Sequence, residues 1–333
     1  MRAMIVKAHA LIESSPLRLR DLPVPTPREK EVLVRVSVCG ICRTDLHVIE
    51  GELPNGTLPI IPGHQIVGTV EALGPGCSRL KLGERVGIAW LGHTCGACEF
   101  CSSGKENLCS ASRYTGYQLQ GGYAELAVAE EDYAYLLPES FSDEQAAPLL
   151  CAGIIGYRAL NRSQLPRGGK LGLFGFGSSA HITLQVALSR GAEVVVVTRD
   201  VAHQELARSL GASWAGDSAE SLSGTLDSAI VFAPVGTIVP QALRALKKGG
   251  TVAIAGIYLS PIPEMDYEEC LFHEKQLLSV EANTRRDGEA LLEEAATIPI
   301  RPQVQVFPLE DANRALQLLK ADGISGTGVL RIG

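Results

Sequence analysis

The chain has 333 residues, 46% of them apolar, and 30 Lys and Arg against 37 Asp and Glu leave a formal net charge of -7. That length exceeds one ordinary core and predicts two domains. The charge, with no basic block and no aromatic-basic interleaving, excludes an electrostatic footprint for nucleic acid or an anionic membrane and points to small-molecule partners. The opening MRAMIVKAHALIESSPLRLR lacks the apolar core and cleavage site of a signal peptide, and no run reaches membrane-spanning length, so a cytoplasmic protein is expected. In chain order, the valine-rich EVLVRVSV at 31–38 predicts a strand, TDLHVIEG a helix, and the stretches 66–73 and 123–128 further strands between Gly and Pro turns. This first part reads as β-rich. From Gly168 the pattern changes: KLGLFGFG, AEVVVVTRD, DSAIVFAP and GGTVAIAG are short apolar strands, separated by helical periodicity in SSAHITLQVALSRG and IVPQALRALKKG. Such alternation means βαβ units and a doubly wound parallel sheet, the Rossmann arrangement, within an α/β protein. After about Asn283 come the helical LLEEAATI and ANRALQLLKA and the strand-like GTGVLRI. The expected division is 1–152 with 284–333 as the β-rich domain and 153–283 as the doubly wound domain, with a cleft where they meet.

Nine cysteines are an odd number for disulfides, and four crowd into GHTCGACEFCSSGKENLC. Cys95, Cys98, Cys101 and Cys109, spaced C-x2-C-x2-C-x7-C, predict a closed tetrahedral zinc site that stabilises a loop and, having no open position, catalyses nothing. His93 is read as a loop residue beside it. Cys39, Cys77 and Cys270 fall outside any metal spacing and read as small buried or loop residues.

Farther along, Gly175, Phe176, Gly177, Ser178 and Ala180 in LGLFGFGSSAHI follow a strand and open a helix, the context in which G-x-G-x-x-A binds a dinucleotide pyrophosphate. An acid should end the next strand if NAD ribose is gripped. Here Thr198 and Arg199 stand at that end, which favours NADP over NAD, because Arg199 can pair with a 2'-phosphate and Thr198 does not repel it. Asp200 reaches a ribose only if the strand runs two residues longer.

The runs GICRTDLH, PGHxxxG, CGACEFC...C, QGGYAELA and PLLCAGIIGYRAL, in this order, resemble the zinc-dependent medium-chain alcohol dehydrogenases over nearly the whole chain. The resemblance implies a GroES-like catalytic domain and a second zinc, catalytic, held by Cys42, His64 and Cys151 with one position open. It implies that Asp45 orients His64 and that Thr44 and His47 relay the alcohol proton. Without it, Thr44 caps the helix and His47 is its solvated face. The same likeness places Phe232, Ala233, Gly256 and Ile257 along the nicotinamide, Trp90 in the substrate pocket or in the core that anchors the cysteine lobe, and the chains in homodimers or homotetramers. Two positions depart from the family: Gln65 replaces the usual glutamate after the zinc-binding histidine, which makes the site more electropositive, and Thr327 replaces an arginine for the pyrophosphate. The implied activity is hydride transfer between a primary alcohol or aldehyde and NAD(P); the alternatives are a polyol or secondary-alcohol dehydrogenase of the same fold, or a catalytically idle NADP-binding module.

Overall fold

The valines of 31–38 extend into the eleven-residue strand Glu31–Ile41, whose residues Val32, Val34 and Val36 are fully buried on one face. In the computed structural model, which describes residues 1–333, this strand is the centre of a seven-stranded sheet. Gln65–Leu73 pairs with it antiparallel along one side, and Leu126–Glu130 and Thr327–Arg331 pair with it along the other. Arg85–Ile88, Ala134–Leu136 and Val304–Pro308 extend the sheet outward. Ile66, Val70, Val86, Ile88 and Leu330 complete the apolar core. Each such aliphatic side chain contributes about 1.5–3 kcal/mol on burial, so a charge at Val34 would break the centre of the sheet. The strand expected at 123–128 begins three residues later, because the Tyr123 N–H donates to Pro62 O and its carbonyl accepts from Met4 N–H, which ties this stretch to two other segments.

The chain divides into one compact unit of Met1–Cys151, Asn283–Ala296 and Pro302–Gly333 and another of Ala152–Ala282 with Thr297–Arg301. Residues 297–301 therefore leave the unit in which 284–333 were expected. A reciprocal pair explains it: Arg301 N–H donates to Gln185 Oε1 at 2.9 Å, and Gln185 Nε2 donates to Arg301 O at 3.5 Å.

The second unit is a parallel sheet in the order Trp214–Gly216, Glu193–Val197, Lys170–Phe174, Leu226–Val231, Leu246–Ile254, Gln276–Ser279. Numbered along the chain, that is the 3-2-1-4-5-6 order of a doubly wound fold, with its switch point between Lys170–Phe174 and Leu226–Val231. Val194, Val195, Val196, Leu171, Leu173, Ile230 and Val231 are buried, as a sheet covered on both faces requires. The expected helix in IVPQALRALKKG stops at Ala245, and the next residue already belongs to a strand, since Leu246 pairs with Leu226. Sequence patterning passed over the helix Val201–Ser209; its residues are mostly polar, and it begins where Asp200 accepts the His203 N–H at 2.9 Å. No helix is long and apolar enough to cross a membrane.

Candidate metal centre and dinucleotide site

Cys42 follows the central strand in extended conformation and is the N-cap of the helix Arg43–Glu50. Its N–H donates to Asp45 Oδ2 at 2.8 Å, half of a capping box. Thr44 therefore lies inside the first turn, and the reading in which it caps the helix is corrected. His64, 1% exposed, precedes the strand Gln65–Leu73, with Nδ1 3.1 Å from Asp45 Oδ1 and Nε2 3.2 Å from Cys42 Sγ. A carboxylate on Nδ1 selects the tautomer whose Nε2 lone pair faces the sulfur. Cys151 follows the single 3-10 turn Ala147–Leu150, and the donor atoms of Cys42, His64 and Cys151 all lie within 4.8 Å of one another. Zinc bonds of roughly 2.0–2.3 Å need tetrahedral donors somewhat under 4 Å apart, so this set fits zinc with small adjustments. A hydrogen bond with Cys151, and then burial, raise the Cys42 thiol well above its ordinary value; a bound cation would displace that proton.

Gln65 comes next in the chain and is fully buried, yet neither its Nε2 nor its Oε1 has a hydrogen-bond partner. Gly40 lies opposite in register, where a Cβ would come within 2.9 Å of the Gln65 Cδ. Orphaned buried polar groups cost about 1–3 kcal/mol each.

The His47 ring, half-buried, pairs through Nδ1 with the exposed Glu52 carboxylate just beyond the helix, a partner sequence reasoning missed. Trp90 stacks on Tyr114 and Tyr117, with centroids 4.8 and 5.9 Å away, and meets the His64 ring edge-on at 5.0 Å. It thus touches the candidate centre as well as the tyrosines that pack beside it.

In the cysteine lobe, Cys95 Sγ lies 3.5 Å from Cys109 Sγ and 3.9 Å from Cys101 Sγ, and Cys98 is 3.5 Å from Cys101. The backbone N–H groups of Ala97 and Cys98 draw the Cys95 pKa down to about 6, as a thiolate metal ligand requires. His93 is not in a loop: it ends the strand Leu91–His93 and pairs through Nδ1 with Glu130 at 2.6 Å, outside the four sulfurs. A further clamp was invisible in the sequence. Arg285 grips both Glu106 oxygens, at 2.7 and 3.0 Å, and lies over the Tyr133 ring, which fastens the lobe to the helix Arg285–Ala295. Burial opposes the Glu106 charge, but Arg285 outweighs it and lowers the pKa.

In the second unit, Gly175 has φ +90°, a conformation that disfavours any side chain, and its N–H donates to Val197 O. Gly177 is the N-cap of the helix Ser178–Ser189, and a Cβ there would meet nothing within 4 Å, so a ligand can approach the backbone. Phe176 and Ala180 are buried, and Ser178 opens the helix at the switch point. Phe232 and Ala233 follow the fourth strand and donate their N–H groups to Phe174 O; Gly256 and Ile257 follow the fifth, with Ile257 53% exposed. Strand Glu193–Val197 ends one residue before Thr198, and Arg199 is exposed. Asp200 spends its side chain on the helix that follows. Thr327 is buried at the start of Thr327–Arg331, in the first unit.

Residues 28–139 match the family described as "Alcohol dehydrogenase GroES-like domain", and residues 180–297 match "Zinc-binding dehydrogenase". "Probable alcohol dehydrogenase AdhA" of Mycobacterium tuberculosis is 49% identical over 100% of this chain and 97% of its own length. The chain belongs to the zinc-binding alcohol dehydrogenase family. The family fold agrees: a cinnamyl alcohol dehydrogenase from Sorghum bicolor superposes with a TM-score of 0.90 at 27% identity, covering 99% of this chain and 97% of that one. Acetophenone reductase from Geotrichum candidum, in complex with NAD, superposes at 0.87 with 26% identity over 99% and 96%. As a zinc-binding dehydrogenase of this family, the protein is an oxidoreductase that works with zinc and a nicotinamide dinucleotide.

Proposed function

We propose that this enzyme reduces small aldehydes to primary alcohols, and oxidises them in reverse, with NADP as the preferred dinucleotide. The observation that carries the reading is the convergence of Cys42, His64 and Cys151, with His64 aimed by Asp45. These three residues hold the catalytic zinc, and the four-cysteine lobe holds a second, structural one. Bound there, zinc would act as a Lewis acid that stabilises negative charge on the alcohol oxygen. A bound nicotinamide would supply the acceptor or donor for the hydride.

The chain's own residues supply the rest. Asp45 holds the Cys42 backbone and the His64 ring in one geometry. Thr44 and His47 pass the alcohol proton outward, with Glu52 paired to His47 through Nδ1. Gly175, Gly177 and Ser178 cradle the pyrophosphate, while Phe232, Ala233, Gly256 and Ile257 line the nicotinamide. Thr198 carries no charge and Arg199 is exposed beside it, which suits a 2'-phosphate. Trp90, against His64, narrows the space for substrate.

Metal analysis combined with absorbance at 340 nm tests the proposal, using NADPH and NADH with a panel of aldehydes, ketones and polyol-derived substrates. Two zincs per chain with aldehyde-dependent NADPH oxidation are expected. Preference for ketones would overturn the substrate assignment, and one zinc without oxidation would leave a binding module. Gln65→Glu is expected to raise turnover severalfold by restoring a carboxylate beside His64, at some cost in metal-free stability because its burial site offers no donor. Unchanged turnover would remove Gln65 as a handicap.

A further inference from the structure

Behind the candidate metal centre lies a tyrosine that the proposed chemistry does not use. Tyr123 is 0% exposed and among the largest fully buried side chains. Its backbone is held from both sides, by Pro62 O and Met4 N–H. The ring packs on Gly63, the residue before His64, so closely that a Cβ on Gly63 would lie 2.4 Å from the ring and 2.8 Å from Cys39 Sγ. The ring is thus fixed in place, yet its hydroxyl has no hydrogen-bond partner. A phenylalanine would fill the same volume without burying an orphaned hydroxyl.

Burial and then the charges of Asp45, Cys39 and Cys42 raise the phenol well above its ordinary pKa. Asp45 is the foremost of these charges. It is 1% exposed, and its two oxygens each take one hydrogen bond, from His64 Nδ1 and from Cys42 N–H. A carboxylate has about four lone-pair sites, so Asp45 has acceptor capacity to spare.

We propose that Tyr123 is a positioning residue for the metal centre: its hydroxyl donates to Asp45 and clamps the carboxylate that aims His64. This rests on reading Cys42, His64 and Cys151 as metal ligands. The link gives a chain from Tyr123 through Asp45 and His64 to the metal. Partners at this remove from a metal set how firmly its ligands are held.

The test uses the zinc-loaded full-length protein, its Tyr123→Phe and Asp45→Asn variants and the double variant. Zinc release to a chelator is followed in time, and the visible spectrum is recorded after cobalt replaces the zinc. Tyr123→Phe is expected to release the catalytic metal about tenfold faster and to shift the cobalt bands, while the four-cysteine metal leaves at its former rate and reports an intact fold. In the Asp45→Asn background the same change should add nothing. A Tyr123→Phe protein that melts higher, with release and spectrum unchanged, would show the hydroxyl to be an orphan and overturn the proposal, as would additive effects in the double variant. A wild-type protein that carries only the four-cysteine metal would instead overturn the ligand reading itself.

Discussion

His64→Ala is expected to remove one zinc per chain and to lower kcat/KM for aldehyde reduction at least about a thousandfold, while the protein stays folded. A metal Lewis acid contributes several kcal/mol to such a barrier, and each roughly 1.4 kcal/mol is a factor of ten. The substitution removes the one nitrogen donor, and it also leaves the buried Asp45 Oδ1 without its hydrogen bond. Two sulfurs alone form a poor site for a borderline metal. Folding should survive because the lobe of Cys95, Cys98, Cys101 and Cys109 is a separate cluster, fastened by Glu106 and Arg285. Metal content and kcat/KM on the same preparation check this. Retention of both metals with activity within tenfold of wild type would remove His64 from the site.

Thr198→Asp is expected to lower kcat/KM with NADPH about a hundredfold and to leave the value with NADH unchanged or higher. The new carboxylate would stand one residue beyond the second strand, where it repels a 2'-phosphate but accepts hydrogen bonds from ribose hydroxyls. Asp200 does not fill that role, since its side chain accepts the His203 N–H. Arg199→Ala should weaken NADPH alone, through KM more than through kcat. Steady-state kinetics with both dinucleotides separate the cases, and equal losses with NADPH and NADH would mean that Thr198 lies away from the ribose.

Much of the architecture was legible because its signals are local. The valine alternation of 31–38 marks a half-buried strand wherever it occurs, and four cysteines within fifteen residues can meet only around themselves. Boundaries were less legible. The helix after Ile238 yields to a strand at Leu246 because that residue pairs with Leu226, a decision taken by the neighbouring strand. Likewise, the strand near 126 starts late because Tyr123 is committed to Pro62 and Met4.

By itself, then, the sequence determined the elements, the four-sulfur lobe and the glycine turn after Lys170–Phe174, since each depends on residues close together in the chain. It also carried, through resemblance, the names of the other candidate metal ligands, without any reason in their spacing for Cys42, His64 and Cys151 to meet. Only the tertiary structure decided that they do, and that one carboxylate, Asp45, serves two of them. It alone showed the buried amide of Gln65, the hydroxyl of Tyr123 and the grip of Arg285 on Glu106 across more than half the chain. These are matters of solvation and of distance between remote segments, and a linear pattern records neither.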